Sequence, residues 1–237
     1  MSRGGDANDT VRDYSAYGRT GTFNTAQPTR GLIGGSKAGL FAGGTVNFYT
    51  TAFSEPLLDF TVTAWFYPSA ASAWRRIADY KFDQGFWLGN RGNGAASWGG
   101  GVQNASDPYG LWLTGTVGAW NFLALQRIGS TAYLYYWDAA SGWQSASGAC
   151  GGAAMTTTNH VRIGNSDPGS VKVGDNWDGG IDEVRIYNRA IEFSTIQMLG
   201  SRRGIAYETK PRPLPRKLSA ATFKSAWARN SNVLIGM

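Results

Sequence analysis

Apolar and polar residues alternate along much of this chain, and the alternation has an unusual form. In FTVTAWFYP, Phe60, Val62, Ala64 and Phe66 share one face, while Thr61, Thr63, Trp65 and Tyr67 share the other. WNFLALQRI sets Asn121, Leu123 and Leu125 against Trp120, Phe122 and Ala124, and TAYLYYWD sets Tyr133, Tyr135 and Trp137 against Ala132, Leu134 and Tyr136. A period of two predicts strands, and apolar groups on both faces predict strands covered on both sides. Further short strands are expected at TVNFY, RIADY, FWLGN, GLWLT and HVRIGN, each bounded by Gly, Asn, Asp or Pro. One segment breaks the pattern. In IEFSTIQMLG, Phe193, Ile196 and Leu199 fall at helical spacing, with Gly200 as a stop signal. The chain therefore reads as an all-β, two-sheet antiparallel jelly-roll sandwich with one short helix and an extended C-terminal arm.

Composition agrees with this reading. Charged residues make up only 16% of 237, and 33 glycines with 10 tryptophans favour tight turns and bulky strands over helices. The net charge of +6 is unevenly spread. From Arg202 onward eight Lys or Arg face one acid, Glu208, for +7, which leaves 14 basic against 15 acidic groups before it. A near-neutral body offers no electrostatic footprint for nucleic acid. A single cysteine, Cys150, allows no intrachain disulfide and fits assembly in a reducing cytoplasm. The opening residues lack an apolar signal core, and no apolar run approaches the ~20 residues of a membrane helix, so neither secretion by a signal peptide nor a membrane partner is expected.

The order of the pieces carries a resemblance. Gly39-Leu-Phe-Ala-Gly-Gly44, then AWFYP, the W-x-F-L-A-L strand, RIGN, and the closing WDGGIDEVRIYNRA before a short helix resemble the laminin G-like, concanavalin A-like jelly roll. The resemblance runs from about Asp13 to Leu199 and implies two stacked antiparallel sheets, with binding more often than one fixed chemistry. The expected organisation is an N-terminal segment (1–12), a jelly-roll domain (13–200) and a basic, aromatic arm (201–237).

Catalysis of the glucan-hydrolase kind needs two carboxylates about 5–5.5 Å apart on one strand face. In WDGGIDEV, Asp182 and Glu183 are adjacent, and Gly179-Gly180 reads as a break between Asp178 and Asp182. His160 is the only histidine, which excludes a multi-His metal site. No catalytic residue is assigned, and no enzyme activity is expected. Asp182 shares parity with Val184 and Ile186, so it is expected to face inward, where a carboxylate needs partners. Backbone amides or a buried Arg would serve. The resemblance implies the other answer, a structural calcium held by Asp13 of DYSAYGRTG together with Asp182, although Arg19 stands where a small polar residue is usual. No other cofactor is expected.

Flat rings beside turns suit sugar stacking. Trp98, Trp112, Trp143 and Trp177 are the candidate carbohydrate-binding residues. The arm is the last candidate. Pro211, Pro213 and Pro215 favour extended backbone, SAATFKSAWARN places Phe223 and Trp227 on one face of a short helix, and Val233, Leu234 and Ile235 follow. The arm either wraps its own sandwich or docks on another chain through Arg202, Arg203, Arg212, Arg216, Lys217, Phe223, Trp227 and Leu234. Residues Arg202–Glu208 and Val233–Gly236 give the tail a resemblance to proteins of tailed bacteriophages. That resemblance implies a non-enzymatic capsid decoration protein on the virion surface, made in the host cytoplasm. It would be pinned by the arm to partners such as the major capsid protein, with host-surface glycans and a homo-oligomer as further partners. The alternative is a cellular or secreted lectin-like adhesion module.

Overall fold

The computed structural model describes residues 11–12, 20–24, 27–30, 37–41, 48–53, 56–71, 74–80, 85–91, 95–104, 107–108, 110–151, 155, 159–166, 176–201 and 233–236. They form two antiparallel sheets packed as a sandwich, the architecture expected from alternation. The first sheet contains β1 (Val11–Arg12), β2 (Thr20–Asn24), β5 (Phe48–Phe53), β7 (Trp74–Tyr80), β8 (Phe86–Arg91), β9 (Ser97–Asn104), β10 (Asp107–Pro108), β11 (Leu111–Thr114) and β15 (Asn159–Ile163). Its order is β1-β2-β5-β15-β7-β8-β9-β10, with β11 also paired to β9. The second sheet contains β3 (Gln27–Arg30), β4 (Lys37–Phe41), β6 (Phe60–Pro68), β12 (Asn121–Ile128), β13 (Thr131–Asp138), β14 (Gly142–Ala149), β16 (Gly179–Tyr187) and β17 (Val233–Gly236). Its order is β14-β13-β12-β6-β16-β4-β3, with β17 also paired to β16.

Between the sheets lies the main core, where Phe60, Val62, Ala64 and Phe66 meet Leu123, Leu125, Leu134, Leu88, Trp98 and Val161. The opposite faces of β6, β12 and β13 carry a second cluster, with Trp65, Phe122 and Ala124 buried beneath helix α1 (Phe193–Ser201). That helix explains why both faces of these strands are apolar. Ile196 and Leu199 point into the cluster, and the Trp65 indole N–H donates to the Leu199 carbonyl at 3.1 Å. Gly200, expected to end the helix, lies within it. A methyl group there would meet the Trp143 ring at 2.6 Å and Phe122 at 2.8 Å, so it is close approach that demands glycine. None of the described helices is long and apolar enough to cross a membrane.

Gly179 and Gly180 do not break a strand either. They open β16, paired to Pro68 and Tyr67 on one side and to Phe41 and Leu40 on the other. A Cβ on Gly179 would sit 1.9 Å from the Tyr67 carbonyl oxygen. The sandwich also takes in strands from outside residues 13–200, since β1 pairs with β2 and β17 pairs with β16.

One polar knot is built into the inner face at the end of β13. The Tyr136 hydroxyl donates to Asp138 at 2.6 Å and lies 2.5 Å from Asn121 Oδ1, and it accepts the Thr116 N–H at 3.1 Å. Asp138 also accepts the Ala140 N–H at 3.0 Å and the Ser141 N–H at 2.5 Å, which folds the β13–β14 turn. Burial pushes Tyr136 far above its ordinary pKa, and its hydrogen bond to Asp138 adds to this. For Asp138, burial alone would raise the carboxyl, but the bonds donated by Tyr136, Ser141 and Ala140 outweigh it and hold the carboxyl below its usual value. A depressed folded value stabilises the native state above the unfolded pKa of about 4, and that contribution disappears as pH falls through the folded value. Urea melts should therefore show a loss of stability between about pH 5 and 2. Asp138→Asn should be less stable at pH 5 by about 1–3 kcal/mol and show a smaller acid loss. Parallel pH curves for the two proteins would remove Asp138 from this role.

Candidate functional site

The four tryptophans expected at a sugar face separate into three environments. Trp98 and Trp177 are fully buried in the main core. Trp98 packs on Phe66 at 5.2 Å and on Trp177 at 6.0 Å, and the Trp177 N–H donates to the Gly180 carbonyl at 3.2 Å. The strand period places Trp98 beside Val102 on the inner face, so neither ring can meet a ligand. Trp143 is half-buried at the helix, 5.8 Å from Phe193 and 6.0 Å from Phe122. Only Trp112 lies on an outer face open to solvent, and it lies in company that sequence reading missed.

Strand registers assemble that company. On the outer face of the first sheet, Arg76 of β7 pairs with Gly89 of β8, Gly89 with Gly99 of β9, and Gly99 with Trp112 of β11. One row away, Trp74 pairs with Arg91; on the other side, Asp79 pairs with Trp87 and Trp87 with Gly101. The glycines strip side chains from the middle of this face, and the Trp112 indole lies down on the bare strand. A Cβ on Gly99 would come within 2.4 Å of that ring and 2.2 Å of the Leu111 carbonyl. A bulge in β7 puts both Ile77 and Ala78 in the core and returns Asp79 to the side of Arg76.

The rings form one cluster. Trp112 sits 4.9 Å from Trp87 and 5.9 Å from Trp74, the latter edge-on. The Arg76 guanidinium lies 4.6 Å from the Trp87 centroid and 5.7 Å from that of Trp74, and Arg91 lies 5.9 Å from that of Trp112. Cation–π contacts of this kind gain strength as they are desolvated. The cluster has a buried floor and an open rim. Trp87 is 3% exposed, and Arg76 and Asp79, 3.5 Å apart, are both buried. Trp74 is 37% exposed, Trp112 is half-buried and Arg91 is exposed. The rim thus offers indole carbon to a flat apolar surface and guanidinium N–H donors beside it. Its signal in the sequence was W-x-R in β7 and W-x-G-x-R in β8, two strands whose outward positions repeat ring and cation.

Asp182 is a correction. It pairs with Trp65, and Arg185 pairs with Thr63, so Ala64 alone faces Glu183 and Val184. This bulge, with Glu183 at φ 49°, shifts the parity of the strand. Val184 and Ile186 face the main core, whereas Asp182 lies on the side of Trp65, away from the expected inward position. Asp182 is buried and accepts the Glu183 N–H at 2.8 Å, while Glu183 pairs with Arg185 at 2.9 Å. Among the described residues no three acids, histidines or cysteines gather as metal ligands. Asp13 lies outside the described residues, as do Arg202, Arg203, Arg212, Arg216, Lys217, Phe223 and Trp227. Leu234 is in β17, which pairs with the chain's own β16.

With two sheets enclosing one core and a helix on the outer face, the molecule has a lectin-like jelly-roll fold. A family model described as the concanavalin A-like lectin/glucanases superfamily matches residues 40–197, and the chain belongs to that superfamily. No curated protein matches it. Among solved structures it is similar to a native heptameric SAP-like pentraxin from Limulus polyphemus, at 17% identity and TM-score 0.53, over 70% of this chain and 82% of that one. The binding domain of botulinum neurotoxin DC in complex with SialylT is similar at 12% identity and TM-score 0.61, over 81% and 48%. The binding domain of Paraclostridial Mosquitocidal Protein 1 gives 14%, 0.58, 83% and 50%. The chain spans about half the length of these toxin domains, and at such identities the likeness shows the fold alone.

Gly99→Ala tests the cluster. The added methyl must displace backbone or the Trp112 ring, so the substitution should cost about 1–3 kcal/mol in a denaturant melt and alter the near-ultraviolet circular dichroism of the coupled indoles. An unchanged spectrum would mean that Trp112 does not lie on Gly99.

Proposed function

We propose that this chain is a carbohydrate-binding module, and that a sugar packs its apolar face on Trp74 and Trp112 while Arg91 donates hydrogen bonds to its hydroxyl or acidic groups. The observation that carries this reading is the open-rimmed tryptophan cluster on a glycine-cleared sheet face. A rigid floor matters, because a ring already held by Trp87 and Arg76 loses little freedom when a ligand arrives. Membership in a superfamily of lectins and glucanases supports the reading, as do relatives described as binding domains, one of them in complex with SialylT. The reading is of binding without catalysis. Asp79 lies buried against Arg76, and Glu183 is paired with Arg185, which supports a structural role for both carboxylates in this reading.

A finer reading places the module on a virion as a capsid decoration protein. It is favoured by the division of charge, near zero before Arg202 and strongly basic after it, which suits capture by an acidic protein surface. Many copies on a particle, or a homo-oligomer, would convert weak single-site binding into useful avidity. Mass spectrometry of purified particles tests that placement, and absence of the chain from them would leave the lectin-like module alone.

The sugar site has its own test, a multivalent form of the protein on a broad glycan array followed by titration of the best hit. Trp74→Ala and Trp112→Ala should each weaken binding by about three- to tenfold, the scale of one ring contact. Trp143→Phe, at the helix, should leave it unchanged. Silence across the array, or equal loss with Trp143→Phe, would sink the assignment.

A further inference from the structure

β16 is buried along its whole length, and one edge of it pairs with β6 on both sides of the Glu183–Val184 bulge. Its other edge is shared. Gly179–Ile181 pairs with Phe41–Gly39 of β4, and beyond the Glu183 bulge Arg185–Tyr187 pairs with β17, with Arg185 opposite Gly236, Ile186 opposite Ile235 and Tyr187 opposite Val233. Without β17 this stretch would present unpaired N–H and carbonyl groups between buried side chains, which is a template for another strand. The donor reaches it only after residues 202–232, and a chain of ~30 residues can span up to about 100 Å by its covalent geometry.

We propose that the edge of β16 at Arg185–Tyr187 is a strand-acceptor site, and that its second occupant is Val233–Gly236 of another copy of this chain. The same ladder forms whichever copy supplies the strand, so effective concentration alone sets the choice. A tether of ~30 residues holds its own strand at an effective concentration on the order of millimolar. In dilute solution each chain fills its own site. Where copies are crowded to comparable local concentration, strands exchange and link neighbours, as in domain swapping. The main-chain ladder between the two strands supplies the affinity.

The test uses the full chain. Light scattering should give a monomer at micromolar concentration and a rising average mass near millimolar. Leu234→Pro with Ile235→Pro removes two successive backbone N–H groups at the irregular register facing Ile186 and Tyr187 and fixes φ at both, which disfavours pairing there. That variant should stay monomeric throughout. It should also bind a synthetic peptide of residues 230–237 saturably, and at least tenfold more tightly than the native chain, whose site is filled. A native chain monomeric to millimolar concentration overturns the proposal, as does a variant that associates like the native chain or a folded variant that takes no peptide. If the variant does not fold, the peptide serves as competitor on the native chain. Association suppressed by saturating peptide supports strand exchange, and association that persists overturns it.

Discussion

A strand with apolar side chains on both faces needs cover on both, and β6, β12 and β13 impose that requirement on everything around them. Their inner faces are met by the first sheet through Leu88, Trp98 and Val161. Their outer faces would leave Trp65, Phe122 and Ala124 in water, and a single nine-residue helix answers that need. Such a helix is too short to persist alone, so it exists because the cluster beneath it holds Ile196 and Leu199. Close approach then dictates detail. Gly200 admits the Trp143 ring, and the Leu199 carbonyl, in the last turn, accepts the Trp65 indole N–H.

The first sheet solves the same problem differently. Among the described residues no helix lies on its outer face, and over β7, β8, β9 and β11 that face is covered by its own residues, with Trp87 and Arg76 lying over strands cleared by glycine. Coverage by flat rings and a stacked cation leaves a rim of Trp74, Trp112 and Arg91 still in contact with water. A helix-covered face is closed to ligands, whereas a face covered this way retains the chemistry of its covering groups. The open rim of rings and cation therefore lies on the first sheet, and the helix lies on the second.

Strict alternation was the legible part of the chain. The inner and outer residues of β6, β12 and β13 fall where a period of two puts them, because those strands run straight through the sheet. Legibility failed wherever the period was broken or the side chains were missing. Bulges at Ile77 and Glu183 moved Asp79 and Asp182 to faces that simple counting does not give, and a bulge has no mark in the sequence when no glycine announces it. β9, reading SWGGGVQN, looked like a turn because three glycines hide its alternation; the same glycines make the bed for Trp112. The glycine-rich segment stood out in the sequence for a different ring from the one that lies on it. SWGGG drew attention to Trp98, yet the ring lying on Gly99 comes from β11, across a register that only the folded sheet reveals.

The two proposed sites lie on different sheets, and this separation has a mechanical consequence. The tryptophan rim belongs to the outer face of the first sheet, while β16 and β17 belong to the second, with the main core between them. Sites without shared partners act additively, so substitutions at Trp112 and at Ile235 should not alter each other's effects. Linking copies through the edge of one sheet leaves the outer face of the other unobstructed. If both proposals hold, the second sheet sets how many rims are presented together and the first sets what each one holds, so a weak single-site grip is multiplied by repetition.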